Sequence, residues 1–267
     1  MIPAAVDYMR AASVEDALDA LKREDAKVLA GGQSLLPAMK LRISRPALLV
    51  DIAELSLDTV LEKDGELVIG ALATWASLED NMLLQRPALR AFAECAAGIG
   101  DLQVRNRGTI GGSLAHADPA SDMTAAVLAL GATTRLRSAD GERTVNAADF
   151  FLGPFTTAIG ERELILDITV PVPPQGSGSA YVAVEHPASG FALAGAAVVV
   201  LPDGSRRVAL TGVGAAAFLL DGEIDAAEIY GDRFAPEEYR RQLAGAVVRR
   251  AVEIAEGRAK EDETWTA

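Results

Sequence analysis

Between a predicted strand and a predicted helix, the chain reads Ala30-Gly31-Gly32-Gln33-Ser34-Leu35-Leu36-Pro37. Glycine permits a positive φ and lets another group approach the backbone closely. The free N–H groups at the start of the helix point back at the turn, and together with the helix dipole they can neutralise an anion without a lysine. Ser34 can cap the helix and add a hydroxyl donor. The pattern predicts a phosphate-binding turn.

A second stretch repeats the pattern later in the chain, where the sequence reads Thr109-Ile110-Gly111-Gly112-Ser113. Two adjacent glycines again stand between hydroxyl side chains. A diphosphate has two faces, so a dinucleotide gripped from both sides by main-chain N–H groups and short hydroxyls needs two such turns. The two stretches together therefore predict dinucleotide binding more strongly than either one alone.

Each glycine pair also has a purely structural interpretation. Gly31-Gly32 can be a simple strand-to-helix turn, and Gly111-Gly112 can be a hairpin or a bulge, because Gly-Gly turns are common. Neither stretch matches Gly-x-Gly-x-x-Gly or the Walker pattern. A Rossmann or P-loop site is therefore not predicted.

Composition and charge limit the chemistry that the chain can perform. Its net charge of -13 disfavours nucleic acid and anionic membranes, and no bilayer-spanning segment or signal peptide is evident, so we expect a cytoplasmic protein. A single cysteine, Cys95, and two histidines are too few for a disulfide, an iron–sulfur site or a typical zinc centre. Ser113, His116 and Asp118 fit no hydrolase triad in order or spacing, and loop capping explains them better. Redox chemistry would need a bound organic cofactor.

The sequence predicts two structural units within residues 1–174. The first covers about residues 1–56, with a helix at 14–22 and, after the first glycine stretch, a strand at 48–52. The second covers residues 57–174 and begins with a hairpin around Lys63-Asp64-Gly65. The first unit therefore reads as a small β–turn–α–β structure, and the second as a mixture of strands and helices.

The remaining residues, 175–267, predict a separate C-terminal domain. A run rich in proline, glycine and serine at 171–179 indicates a linker. Beyond it, strands around a Pro202-Asp203-Gly204 turn predict a three-stranded antiparallel sheet, and a helical pattern covers 236–257. The fold class is therefore predicted to be α+β.

The two glycine stretches resemble the FAD loops of the medium subunits of molybdenum hydroxylases, the carbon monoxide dehydrogenase and xanthine dehydrogenase class. The likeness includes Lys40-Leu41-Arg42 and Arg105-Asn106-Arg107-Gly108, and it continues through Glu163-Leu164-Ile165-Leu166-Asp167-Ile168 to His186-Pro187-Ala188-Ser189-Gly190-Phe191-Ala192. It covers nearly the whole chain. The resemblance implies a two-lobed FAD-binding domain of the PCMH/VAO-like type over residues 1–174, followed by the C-terminal domain.

The resemblance also implies where FAD binds. The cofactor would lie between the two N-terminal lobes, with its diphosphate wrapped by the glycine stretches and Asp122 hydrogen-bonded to it. Without the resemblance, Asp122 reads as the N-cap of an apolar helix. Family members often carry a lysine where this chain has Ala183, so one basic contact near the cofactor is missing. The residues assigned to FAD are Leu29, Ala30, Gly31, Gly32, Gln33, Ser34, Leu35, Thr109, Ile110, Gly111, Gly112, Ser113, Ala117, Asp118, Asp122, Ile165 and Tyr181.

The function implied by the resemblance is electron transfer. A large partner subunit with the molybdenum cofactor would oxidise the substrate, and [2Fe-2S] clusters on a small partner would pass electrons through FAD to an external acceptor. The assembly is expected to be a dimer of heterotrimers. From the residues alone, Trp265 near the end of the acidic tail is interpreted as either a docking contact or part of a disordered end. Two alternatives remain open: a self-contained flavin oxidase or reductase, and a non-catalytic assembly subunit without FAD.

Overall fold

Three main β-sheets follow one another along the chain in the computed structural model, which describes residues 2–262. Helices and strands are mixed within each unit, so the predicted α+β class is confirmed. Trp265 lies outside the described residues. Within residues 2–262, no helix combines the length and the apolar character needed to cross a membrane.

The first unit is a small parallel sheet with two helices. Its sheet order is β1-β3-β2, and Ser13, just before the predicted helix at 14–22, caps this helix by accepting the N–H of Asp16 at 3.0 Å. Parallel strands place their carboxyl ends at one edge, where ligands of such sheets bind, so the first glycine stretch leaves the sheet at that edge. The elements are β1 (Asp7–Arg10), α1 (Val14–Ala20), β2 (Ala26–Leu29), α2 (Leu35–Lys40) and β3 (Leu48–Asp51).

The second unit is built on a five-stranded antiparallel sheet of order β4-β5-β10-β6-β7. The predicted hairpin is confirmed: Asp64 and Gly65 have φ of 54° and 79°, as a tight two-residue turn requires. Short 3-10 helices cover Met82–Gln85 and Pro87–Leu89. The elements are β4 (Val60–Lys63), β5 (Glu66–Gly70), α3 (Trp75–Glu79), α4 (Arg90–Gly98), α5 (Leu102–Arg105), α6 (Ile110–His116), α7 (Asp122–Ala129), β6 (Thr133–Ser138), β7 (Gly141–Asn146), α8 (Ala147–Phe150), β8 (Phe151–Gly153), β9 (Thr156–Thr157) and β10 (Leu164–Pro171).

The C-terminal sheet has four strands, so the prediction of three was wrong. Its order is β11-β12-β13-β14, all antiparallel. The additional strand, β14, has only two residues, which is too short to give a recognisable alternation of polar and apolar side chains. The elements are β11 (Gly178–Glu185), β12 (Ala192–Val200), β13 (Arg206–Thr211), β14 (Phe218–Leu219), a 3-10 turn at Ile224–Ala226 and α9 (Glu237–Asp262).

The run at 171–179 is packed rather than a free linker. It overlaps the end of β10 and the start of β11, and Ser177 and Gly178 are buried. A Cβ added to Gly178 would lie 2.1 Å from the carbonyl oxygen of Ala255 in α9. The glycine is therefore needed for close packing against the C-terminal helix, a role that composition alone does not distinguish from flexibility.

The second unit and the C-terminal sheet share one hydrophobic core. Buried residues of α4 and α7, such as Phe92 and Met123, belong to the same cluster as Ala197 and Val199 of β12. The first unit has a separate, smaller cluster that reaches the second unit through a few side chains, including Leu164. Burial of a common apolar surface holds the second unit and the C-terminal sheet together.

An ion pair reinforces this junction. Arg258 of α9 donates to the Glu94 carboxylate of α4 with both terminal nitrogens, at 2.5 and 3.0 Å. The same guanidinium donates to the carbonyl of Ser179, and Glu94 accepts the N–H of Tyr181 at 2.8 Å. Bidentate pairing of this kind is geometrically specific. The start of β11 is thus clamped between the second unit and the C-terminal helix.

Candidate functional site

The first glycine loop, residues 30–35, presents an unbroken series of free main-chain donors. No hydrogen bond within residues 2–262 uses the N–H groups of residues 31–35. Gly32 has a φ of 76°, which favours glycine. The predicted cap was wrong in one respect, because Ser34 precedes α2 but its side chain makes no capping hydrogen bond. Its hydroxyl is therefore available to a ligand, and consecutive free N–H groups of this kind suit an anion.

The second glycine loop, residues 109–113, is the first turn of α6. Its N–H groups at 110–113 are already paired within the chain: Gly112 donates to the hydroxyl of Thr109 at 3.2 Å, and Gly111 donates to the carbonyl of Ala71 at 2.9 Å. The hairpin or bulge interpretation was therefore wrong. The expectation of free main-chain donors was also wrong for this loop, because the helix cap and the neighbouring turn use them.

The two glycine loops lie against each other. A Cβ added to Gly31 would lie 2.0 Å from the carbonyl oxygen of Arg107, two residues before the second loop. A Cβ added to Gly112 would lie 4.0 Å from the Cβ of Ala30. Glycine at position 31 is thus required by the close approach of the second backbone. The first loop, which carries the unpaired N–H groups, therefore packs directly against the second loop and the turn before it.

The segment after the second loop is held by local hydrogen bonds. Ala117 ends α6 with a φ of 49° and is buried. The Asp118 carboxylate accepts the N–H of Ala120 at 2.9 Å, and it lies 3.9 Å from the His116 ring. These contacts agree with a capping role for the turn. The segment then returns to the second loop, because the hydroxyl of Ser121 lies 2.9 Å from that of Ser113.

Asp122, which is buried, and Tyr181, which is half-buried, form a hydrogen-bonded pair between α7 and β11. The Tyr181 hydroxyl donates to the Asp122 carboxylate, whose residue is 8% exposed. Burial raises the pKa of Asp122 to about 6, although the hydrogen bond from Tyr181 opposes the rise. The N-cap interpretation of Asp122 was wrong, because Ser121 occupies the cap position and Asp122 is the first helical residue. The structure therefore brings together two residues that are far apart in sequence.

The aliphatic residues assigned to the site differ in position. The Leu29 side chain lies beside Gly32, 3.3 Å from the place that a Cβ there would take. Ile165 is 7% exposed and belongs to the shared core in β10. It is next to Leu166, whose carbonyl accepts the N–H of Ala71 and so connects β10 to the turn beneath the second loop. Leu29 thus borders the first loop, whereas Ile165 lies in the sheet behind the second.

Three contributors to the site were not identified from sequence. Ser121 pairs with Ser113, Gly195 gives room to the Tyr181 hydroxyl, and the pair of Glu94 with Arg258 fixes the start of β11. Only Gly195 carries a signal in the sequence, because a glycine inside an aliphatic strand often marks a close approach. The two other contributors depend on contacts that no local pattern specifies.

Comparisons with known proteins identify the family. Residues 4–173 match the family described as the FAD binding domain in molybdopterin dehydrogenase. The carbon monoxide dehydrogenase medium chain of Afipia carboxidovorans is 37% identical over 97% of this chain and 100% of its own length. The glyceraldehyde dehydrogenase medium chain of Sulfolobus acidocaldarius is 41% identical over 77% of this chain and 73% of its own.

A solved structure gives the same result for the fold. Carbon monoxide dehydrogenase from Hydrogenophaga pseudoflava, in a form that lacks the Mo-pyranopterin moiety of the molybdenum cofactor, superposes with a TM-score of 0.91 at 37% identity. The match covers 97% of this chain and 99% of the matched chain. The expected type of FAD-binding fold is thereby confirmed. The chain belongs to the family of FAD-binding medium subunits of molybdopterin dehydrogenases, a family of oxidoreductases.

Proposed function

We propose that the first glycine loop binds the FAD diphosphate where it opens against the second loop. The observation that carries the proposal is the run of unclaimed N–H groups at residues 31–35. A diphosphate supplies the acceptors that this run lacks, and glycine lets the ligand approach the backbone. The N–H groups at 110–113 are already paired within the chain. The second loop therefore contributes mainly the shape of the opposite wall of the site and the dipole of α6.

The positions of the other residues support the remaining assignments of the proposal. Gln33 and Ser34 add side-chain donors at the first loop, and Leu29 and Leu35 add apolar contact. At the second loop, the backbone of residues 109–113 forms the opposite wall, with the turn at Ala117 and Asp118 beside it. Asp122 and Tyr181 contact the cofactor from the junction with the C-terminal sheet, and Ile165 supports the wall from behind. The proposed domains are residues 1–174, in lobes of about 1–56 and 57–174, and residues 175–267.

We infer that the chain is the subunit that transfers electrons from a larger complex to an external acceptor. Its relatives are named medium chains of dehydrogenases, which supports a large partner with the molybdenum cofactor and a small partner with [2Fe-2S] clusters. FAD accepts electrons singly from a cluster and releases them singly or in pairs. This chain's residues bind and orient the cofactor and shield part of it from water. The assembly proposed is a cytoplasmic dimer of heterotrimers that reduces an external acceptor.

Purification of the chain alone, followed by assembly with its partner subunits, tests the proposal. We expect the isolated chain to bind one flavin and to oxidise no reductant until the partners are added. Turnover of a reductant by the isolated chain would instead indicate a self-contained flavin enzyme. A colourless protein that cannot be reconstituted with FAD would indicate an assembly subunit. The flavin content is measured by absorbance after denaturation, and turnover by reduction of an artificial dye.

A further inference from the structure

The segment at the end of α2, residues 40–45, exposes apolar side chains inside a basic stretch, and we call it the α2 turn. Ile43 is 77% exposed and Leu41 is 54% exposed. Residues 26–50 contain four basic side chains and no acidic one, although the whole chain has 38 acidic residues and only 25 basic ones. Exposed apolar groups with a polar border are typical of interaction surfaces. The α2 turn is therefore a candidate contact surface of opposite charge to the rest of the protein.

The cations of the α2 turn have no carboxylate partner within residues 2–262. Lys40, Arg42 and Arg45 are exposed, and the only side-chain hydrogen bond among them runs from Nε of Arg45 to the carbonyl of Arg42 at 3.2 Å. Other cations of the first unit each form an ion pair with a carboxylate: Arg10, Lys22 and Arg23. The α2 turn thus keeps its positive charges available for carboxylates outside the chain.

The backbone of the α2 turn keeps a long side chain where glycine is usual. Arg42 has a φ of 60°, and its N–H donates to the carbonyl of Met39 at 2.9 Å. The N–H of Ile43 donates to the carbonyl of Ala38 at 2.9 Å, which completes a Schellman motif. In that motif the left-handed position is usually glycine, and the next residue, when apolar, usually packs back on the helix. Here the position is arginine and Ile43 stays in solvent, so the turn retains two features that an external contact explains.

The charge of the α2 turn limits which partner it fits. A closed two-fold contact with a second copy of the chain would bring this surface against itself, so that the same cations would face each other. The net charge of -13 disfavours nucleic acid and anionic lipid. A protein face that carries carboxylates around an apolar pocket fits both features of the turn, since the pocket takes Ile43 and the carboxylates pair with the cations.

The α2 helix connects the turn to the first glycine loop. The helix has six residues and therefore spans about 9 Å. Its Leu36 side chain lies beside Gly32, 2.9 Å from the place that a Cβ there would take. A protein bound at the α2 turn is therefore close to the proposed diphosphate site. In the proposed complex, the subunit that has to lie near the flavin is the one that passes electrons to it.

We propose that the α2 turn is the docking site for the [2Fe-2S] partner subunit, which presents an apolar pocket for Ile43 and carboxylates around it for Lys40, Arg42 and Arg45. The inference rests on the proposed function and names the surface through which that partner binds. Docking there places the electron donor beside the first glycine loop. Because the charges at the border of the contact are exposed, the association is sensitive to ionic strength.

Binding of the full-length chain, loaded with FAD, to the purified [2Fe-2S] partner subunit tests the proposal by biolayer interferometry at low and high salt. We expect the affinity to fall as the salt concentration rises. Ile43→Asp should bind the partner about 100-fold more weakly, because it removes the apolar anchor and sets a negative charge against carboxylates. Its FAD content and melting temperature should equal those of the wild type, since Ile43 is 77% exposed.

Two further variants separate docking from folding. Arg42→Gly relieves the positive φ, so the apoprotein should melt about 3 °C higher than the wild type. The same variant loses a cation of the contact, so it should bind the partner about tenfold more weakly. Met82→Asp is the matched control, because Met82 is 75% exposed but follows the acidic residues Glu79 and Asp80. This control should keep the wild-type affinity for the partner.

Three results would overturn the proposal. The first is an unchanged affinity for the partner in both Ile43→Asp and Arg42→Gly, and the second is an equal loss in Met82→Asp. The third is binding of the wild type to vesicles rich in phosphatidylserine that Ile43→Asp abolishes while the partner still binds, because the turn would then contact lipid. Failure of this inference is distinct from failure of the proposed function. A chain that binds FAD and the partner regardless of these substitutions ends only the former, whereas a wild-type chain that binds neither ends both.

Discussion

The first and second glycine loops differ in what their main-chain N–H groups are bonded to. In the first loop the N–H groups of residues 31–35 have no acceptor within the described chain, whereas in the second loop those of residues 110–113 are paired. Both loops have adjacent glycines and flanking hydroxyls. The same local pattern therefore has two hydrogen-bonding states: in the proposed site, the first loop would offer donors to the ligand and the second would form the opposite wall.

Gly31→Ala should have the largest effect on cofactor binding. The added Cβ would lie 2.0 Å from the Arg107 carbonyl oxygen, and backbone on both sides must move to relieve the contact. We expect FAD binding to weaken by about 100-fold, equivalent to about 3 kcal/mol. Gly153→Ala is the control, because a Cβ there has no atom within 4 Å. If the two purified variants contain the same amount of FAD, close contact between the two loops is not required for FAD binding.

Gly111→Ala should mainly affect folding. Its Cβ would lie 2.7 Å from both the Cβ and the carbonyl oxygen of Ala71, at the edge of the shared core. We expect the free energy of unfolding of the apoprotein to fall by about 2 kcal/mol in urea denaturation. Gly257→Ala in α9 has open space and should be neutral or stabilising by up to about 1 kcal/mol. An apoprotein of unchanged stability that has lost FAD would place Gly111 at the ligand instead.

Ser34→Ala tests whether the free hydroxyl of the first loop contacts the diphosphate. Its side chain caps nothing in α2, so its loss should leave the stability of the apoprotein unchanged. One hydrogen bond to a charged acceptor contributes about 1.5 kcal/mol, which corresponds to about tenfold in the dissociation constant for FAD. Ser13→Ala, which removes a real cap in α1, should show the reverse pattern. An unchanged affinity for FAD in Ser34→Ala would remove this residue from the site.

Thr109→Ala should have the smallest effect on binding. The Thr109 hydroxyl accepts the N–H of Gly112 at 3.2 Å, so it is engaged in capping α6. We expect the free energy of unfolding to fall by about 1 kcal/mol, with the affinity of the folded protein for FAD nearly unchanged. A loss of affinity as large as that of Ser34→Ala, without a loss of stability, would mean that the two loops contribute hydroxyls equally.

Elements with strong local signals could be predicted from the sequence. Ser13 caps α1, Asp64 and Gly65 make the hairpin turn, and Gly131 ends α7 with a positive φ of 67°. In each case a residue type is tied to one backbone requirement, so neighbours in sequence are sufficient. The two glycine stretches were located for the same reason.

Features that depend on distant partners could not be predicted. The edge strands β1 and β7 are short and largely exposed, so they lack the alternation that marks a half-buried strand. One donor of the second glycine loop, the N–H of Gly111, is occupied because the carbonyl of Ala71 approaches it from another turn. The partner of Asp122, at the start of α7, is Tyr181 on β11 of the C-terminal sheet. The sequence therefore predicts where the loops lie. Which of their N–H groups are paired depends on the tertiary structure.

The shared hydrophobic core also restricts how a dinucleotide enters and leaves. Separating the C-terminal sheet from α4 and α7 would expose a continuous apolar surface, so a hinge between them is disfavoured. The first unit keeps its own small core, and only a few side chains join it to the rest. We therefore expect loading of FAD to proceed by displacement of the first unit, so that exchange of the cofactor is governed by the contact between Gly31 and Arg107.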